Sequence, residues 1–168
     1  MNFPEEKNKE PPRDSGPVDP LTVVSGNDAL TAIYGHWPSF HDAEVIELNL
    51  WRGFVKSGEW GSSSVFPTLT VKVRILEATQ VDATDAGHDV IATIRFHDVV
   101  DLKLDEFNHV NQITKMSFAW QPRGRFTDGT PLPSYIIVNF ERGFGISASF
   151  KCFRIEIVDV LRDAIDPL

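Results

Sequence analysis

From residue 44 onward, apolar and polar side chains alternate with a period of two. Ile46, Leu48 and Leu50 alternate with Glu47 and Asn49, and Leu69, Val71, Val73 and Ile75 with Thr70, Lys72 and Arg74. The same alternation holds for Ala92, Ile94 and Phe96, for Leu102 and Leu104, for Met116, Phe118 and Trp120, and for Ile136, Val138 and Phe140. Successive side chains of a strand point to opposite faces. Each run therefore predicts a strand with one buried and one wet face, as in antiparallel sheets. The last run changes phase: Ile146, Ala148, Phe150 and Cys152 share one, while Phe153, Ile155 and Ile157 take the other. One extra residue near Cys152-Phe153 restores a single buried face, which predicts a β-bulge or bend there. The glycines of Glu141-Arg142-Gly143-Phe144-Gly145 predict a hairpin joining this run to the one before it.

Ahead of the strands, Ala29, Leu30, Ile33 and Tyr34 lie at helical spacing behind a capping Ser25 or Asn27. Gly35 ends that short helix and Pro38 prevents its resumption. Gly53 to Ser64, Asp82 to Gly87 and Asp128 to Pro133 carry loop and turn chemistry. No long amphipathic helix alternates with the strands, which argues against a doubly wound parallel sheet. The expected fold is α+β: a curved, mainly antiparallel sheet of about seven strands with one or two short helices packed on it. Residues 1–20 hold five prolines and almost no apolar side chains, too little to offset the entropy of ordering. They read as a flexible, Pro-rich acidic tail ahead of a single domain over 21–168.

Composition narrows the function. A chain of 168 residues can bury a sizeable core in one domain. Its net charge of −8 opposes binding to nucleic acid and favours association with a basic partner. No apolar run is long enough to span a membrane, and Met1 to Lys7 lack the apolar core of a signal peptide. The single cysteine, Cys152, rules out an internal disulfide. A cytoplasmic location is the resulting expectation.

Candidate chemistry is sparse. His41-Asp42 and Phe96-His97-Asp98 place two His-Asp dipeptides in the chain, a donor set a metal can use. Neighbouring residues on a strand point to opposite faces, however, so each dipeptide offers one ligand per direction. The plainer reading has Asp42 and Asp98 capping turns at strand ends. Cys152 sits in an apolar phase, where it behaves as a small hydrophobe. No nucleophile elbow or phosphate-binding glycine loop occurs, so the roles an enzyme needs go unfilled. Neither catalysis, nor a metal, nor a cofactor is expected.

Tyr34-Gly35-His36-Trp37-Pro38-Ser39-Phe40-His41-Asp42-Ala43-Glu44-Val45 concentrates aromatics, two histidines and acids between helix and first strand. Trp37 and Phe40 have the area to lock the helix to the sheet, and His41 can hold the loop through a backbone carbonyl. The segment resembles the opening motif of bacterial polymorphic-toxin immunity proteins, in particular immunity protein family 50. Phe96-His97-Asp98-Val99 with Leu102, Leu104, Phe107-Asn108 and Asn111 resembles that family's middle block. Phe144-Gly145 through Phe150-Lys151-Cys152 resembles its closing hairpin. The likeness covers roughly residues 28–160 and brings no catalytic residue with it. It implies an α+β protein that binds and neutralises a cognate toxin. Trp37, Pro38, Phe40, His41, Asp42 and Glu44 are the matched positions, structural or binding in role. The candidate partner contacts are exposed acids and aromatics on loops: Trp51, Glu59, Trp60, Asp82, Asp85 and Asp128. The alternative is a small-ligand or metal site, hydrolytic in one version, built from His41, Asp42 and His97.

Overall fold

The computed structural model describes residues 15–53, 67–77 and 90–162. Its elements are β1 (Gly16–Pro17), α1 (Pro20–Val23), β2 (Val24–Ser25), α2 (Asp28–Tyr34), β3 (Ala43–Trp51) and β4 (Thr68–Ile75). They continue with β5 (Val90–His97), β6 (Val100–Asp105), β7 (Gln112–Gln121), β8 (Tyr135–Phe144), β9 (Ser147–Cys152) and β10 (Arg154–Arg162). The loop expected after Gly53 and the turn at Asp82–Gly87 lie outside the described residues. No helix among the described residues is long and apolar enough to cross a membrane.

The strands form one open sheet in the order β2-β10-β5-β4-β3-β7-β8-β9-β6, with β1 paired to β7. Two corrections to the expected fold follow. Ten strands replace about seven, because the last run divides at Phe153 into β9 and β10, and because β1 and β2 are two-residue pairings too short to show a period. The sheet is also mixed, since β2 lies parallel to β10 while the other pairings are antiparallel.

That order forces the sheet to curl. Phe153 alone separates β9 from β10, and Asp98–Val99 alone separate β5 from β6. Each of these joined pairs lies six places apart in the order, roughly 30 Å across a flat sheet at the usual strand spacing. The path therefore doubles back, and two continuous strands bend from one half of the sheet into the other, the usual way of turning a sheet corner. The Phe153 amide donates to the His97 carbonyl at 3.1 Å, carrying the ladder through the bend. Inside the fold, the Phe96 ring meets Phe150 at 4.9 Å and Phe140 at 6.1 Å, so the two halves pack face to face.

The alternation placed most of the core correctly. Leu69, Val71, Val73, Ile75, Ala92, Ile94, Phe96, Met116, Phe118, Ile136, Val138, Phe140, Phe150, Cys152 and Ile155 are all buried. In β3 it failed by one residue. The pairing with β4 slips between Val45 and Glu47, leaving Ile46 as the extra, exposed residue. Ala43 and Val45 face inward before the slip and Leu48 after it. A bulge of this kind changes the inward phase without changing the residue pattern.

The helix before β3 stops at Gly35, as expected, in the left-handed conformation at φ 78°. Asn27 occupies the cap position, but its amide donates back to the Leu21 and Val24 carbonyls and not to the first turn of the helix. Tertiary packing holds this element: Leu30, Ile33 and Tyr34 are buried in the common core. Within the stretch read as tail, Gly16 and Pro17 pair with Trp120 and Ala119, and Asp19 caps α1 by accepting from the Leu21 amide. Residues 1–14 lie outside the described residues.

Phe96 touches both halves of the fold, so Phe96→Ala is expected to cost about 3–5 kcal/mol, read as a lowered midpoint in urea unfolding.

Candidate functional site

The loop after α2 is built inward-outward. Pro38 and Phe40 are buried, and the half-buried Trp37 ring meets Phe40 at 5.5 Å and Phe118 at 6.2 Å. Phe40 holds φ 58°, a conformation unfavourable for a bulky residue and sustained by full burial of its ring. Glu77, just past β4, ties the loop down. Its carboxylate accepts from the Ser39 amide at 2.7 Å and the Ser39 hydroxyl at 2.9 Å, and meets His36 Nε2 at 2.6 Å. Burial pushes the Glu77 carboxyl up, but the Ser39 amide, the His36 ring and the Ser39 hydroxyl together hold it below its ordinary 4.5.

The remaining motif positions face solvent. His41 Nδ1 lies 3.0 Å from Asp42 Oδ2, and both side chains are more than half exposed. The expected carbonyl partner for His41 is replaced by this local contact and by its own amide donating to Ser39 Oγ. Glu44 reaches across the ladder to Arg74 at 3.9 Å.

Three segments distant in sequence then meet at one corner. The Val45 amide donates to the Asn111 carbonyl at 2.9 Å, and Ala43 and Glu44 pair with Ile113 and Gln112. Gln112 in turn pairs with Phe144 on the hairpin and donates to the Asp42 carbonyl at 3.4 Å. Buried Asn111 organises the loop: its Oδ1 accepts from the Asn108 amide and its Nδ2 donates to the Asn108 carbonyl. Gly145, at φ +74°, lies so close that a Cβ there would sit 2.2 Å from the Val110 carbonyl oxygen. Around this junction Leu104, Phe107, Val110 and Phe144 are exposed, Phe144 by 68%. Arg142 Nη2 bonds Asp105, and its Nη1 lies 3.5 Å from Glu106.

The opening, middle and closing blocks of the resemblance are thus neighbours in space. A model of the family described as immunity protein 50 matches residues 26–161. The chain belongs to the immunity protein 50 family. No curated protein and no solved structure matches it.

In this immunity protein 50 chain the alternative constellation does not assemble. His41 and Asp42 precede Ala43, beside the Arg74–Ile75 end of β4, whereas Phe96 pairs with Leu69 at its other end. His97 is therefore about 20 Å away along the strand. There its Nε2 lies 3.1 Å from Glu156 Oε1 and 3.1 Å from Arg154 Nη2. Among the described residues no group of three His, Cys, Asp or Glu side chains can hold a metal. Burial, and after it the Asp98 carboxylate, push the Cys152 thiol up to about 12, which leaves it without thiolate character at neutral pH. Asp42 and Asp98 both adopt left-handed backbone, at φ 61° and 59°, which short polar side chains tolerate.

Of the candidate contacts, Trp51 is 47% exposed at the end of β3, and Asp128 lies in an exposed turn, its carboxylate accepting from the Thr130 amide. Trp51 ends β3 and Asp128 lies in the turn beyond the Gln121 end of β7, and the two antiparallel strands run in opposite directions from the Ala43–Ile113 pairing. Glu59, Trp60, Asp82 and Asp85 lie outside the described residues. Asp105, Glu106, Arg142 and Phe144, which are not among the expected contacts, gather at the corner where the three segments meet. Phe144 beside a turn glycine was the available signal, since a bulky apolar residue in a hairpin turn has no core to enter.

Gly145→Ala is expected to destabilise by about 3 kcal/mol or more, against about 1 kcal/mol for Gly129→Ala, where an added Cβ meets nothing. Urea unfolding of both variants checks the difference. Because the Glu77 carboxyl is held low, its stabilisation is fully present above 4.5 and lost as pH falls through the lowered folded value. Glu77→Gln should therefore be less stable than the parent at neutral pH, with the gap closing in acid. A gap that persists at the acid end refutes the assignment.

Proposed function

We propose that this chain neutralises a protein toxin by binding it one-to-one, without turnover. Membership of the immunity protein 50 family carries the reading. Several physical features support it. The net charge of −8 speeds capture of a basic partner. The described histidines are dispersed and Cys152 is buried and inert, which suits a binding protein better than a hydrolase. Exposed aromatic side chains on a rigid sheet supply anchors that ordering does not penalise heavily. We place the protein in the cytoplasm, where a lone buried thiol stays reduced.

The test is co-expression with the protein encoded immediately upstream. Restored growth of the host, together with nanomolar one-to-one binding by calorimetry, is the expected result. Absence of both binding and rescue overturns the reading.

A further inference from the structure

Each half of the curled sheet turns one face outward, and the two outer faces differ in how their charges are arranged. On β3, β4, β5 and β10 the outward positions carry long charged residues paired across strands. Arg74 meets Glu44 at 3.9 Å, Lys72 meets Glu47 at 2.5 Å, and Arg95 meets Glu156 at 3.3 Å. On β7, β8 and β9 the outward positions, identified by alternation with buried Phe118, Val138, Phe140, Ala148 and Phe150, include the short Ser117, Ala119, Asn139, Ser147 and Ser149 and, among them, Ile137, Glu141 and Lys151. The register aligns Ser117, Asn139, Ser149 and Lys103 in a single row across four strands. Over β8, β9 and β6 lies a trough of about 880 Å³ lined by Asn139, Ser147 and Ser149 together with Lys103, Glu141 and Arg142.

The trough opens onto the corner described above. Arg142, Asp105 and Leu104 belong to its lining, and Arg142 also reaches Glu106, next to exposed Phe107. With Lys103 and Glu141 also in the lining, the three carboxylates Asp105, Glu106 and Glu141 face the two cations Lys103 and Arg142, so the mouth carries one net negative charge. Asp105 and Glu106 remain more than half exposed.

We propose that the trough and the adjoining Phe107–Phe144 corner are the surface that grips the toxin, and that the toxin inserts a protruding segment bearing bulky apolar and basic side chains. The proposal rests on the toxin-binding reading and adds to it the face and the partner's chemistry. Bulky side chains fill space above a floor of serine and asparagine, which offers both donors and acceptors. Phe144 and Phe107 then lose their exposed area to the partner and act as anchors. The Asp105–Glu106 carboxylates attract basic groups and set orientation.

The test uses the full chain and the protein encoded immediately upstream. Ser149→Arg fills the trough, Phe144→Glu removes an anchor, and Thr93→Arg alters the opposite outer face as a control. With unchanged thermal unfolding, the first two should each weaken binding by about a hundredfold, and the control by less than about threefold. The association rate of the parent should fall as salt rises. Trough variants that bind like the parent overturn the face assignment while leaving toxin binding intact. A salt-independent association rate overturns the basic partner. A parent dimer in sedimentation velocity that Phe144→Glu dissociates gives the face to a second copy and overturns the proposal. Failure of the unmodified chain to bind removes the toxin-binding reading and this surface with it.

Discussion

A strand can pass through a sheet corner only where the inside of the bend is filled and the ladder is not interrupted. Both conditions meet where β5 runs into β6 beside β9 running into β10. The Phe153 amide keeps the ladder by bonding the His97 carbonyl, and Phe96 fills the inside against Phe140 and Phe150. Asp98 supplies the left-handed backbone that lets one strand turn. From this double bend the rest of the architecture follows. It turns an open ribbon of strands into two packed half-sheets, and it gives Leu69, Val71, Ile94 and Phe118 a common interior.

The family motif's blocks, spread along the chain, meet at the pairing of β3 with β7. Glu77 holds the loop that carries Trp37 and Phe40, and that loop delivers Ala43 to Val45 against Asn111 to Ile113. The hairpin tip completes the junction because Gly145 tolerates an approach that no side chain could. Trp37, Pro38 and Phe40 are thereby fold-forming. His41, Asp42, Phe107 and Phe144 share the same scaffold and are left at the surface, where a partner can reach them.

The surface divides along the same lines. One outer face carries the cross-strand charge pairs Lys72–Glu47 and Arg95–Glu156, and the other holds the trough lined by Asn139, Ser147 and Ser149, with Phe107 and Phe144 exposed. Such ion pairs at the surface contribute little to stability.

Alternation by twos determined which side of each strand would be buried, because the pleat sends successive side chains to opposite faces whatever lies beyond the strand. That is why Leu69 to Ile75 and Ile136 to Phe140 were legible, and why the phase change at Cys152-Phe153 announced a bend. The opening motif was legible as a contiguous run of residues resembling that of the family. The bulge at Ile46 was not, since a slip of one residue depends on how β4 pairs, and β1 and β2 are held by partners more than 100 residues away. His41 and His97 looked alike in sequence, yet the register set them at opposite ends of β4. The corner of Asn111, Gly145 and Phe144 and the trough over Ser147 and Ser149 belong wholly to the tertiary structure. Strand order and curl are decided by packing between distant segments, and no local pattern encodes that.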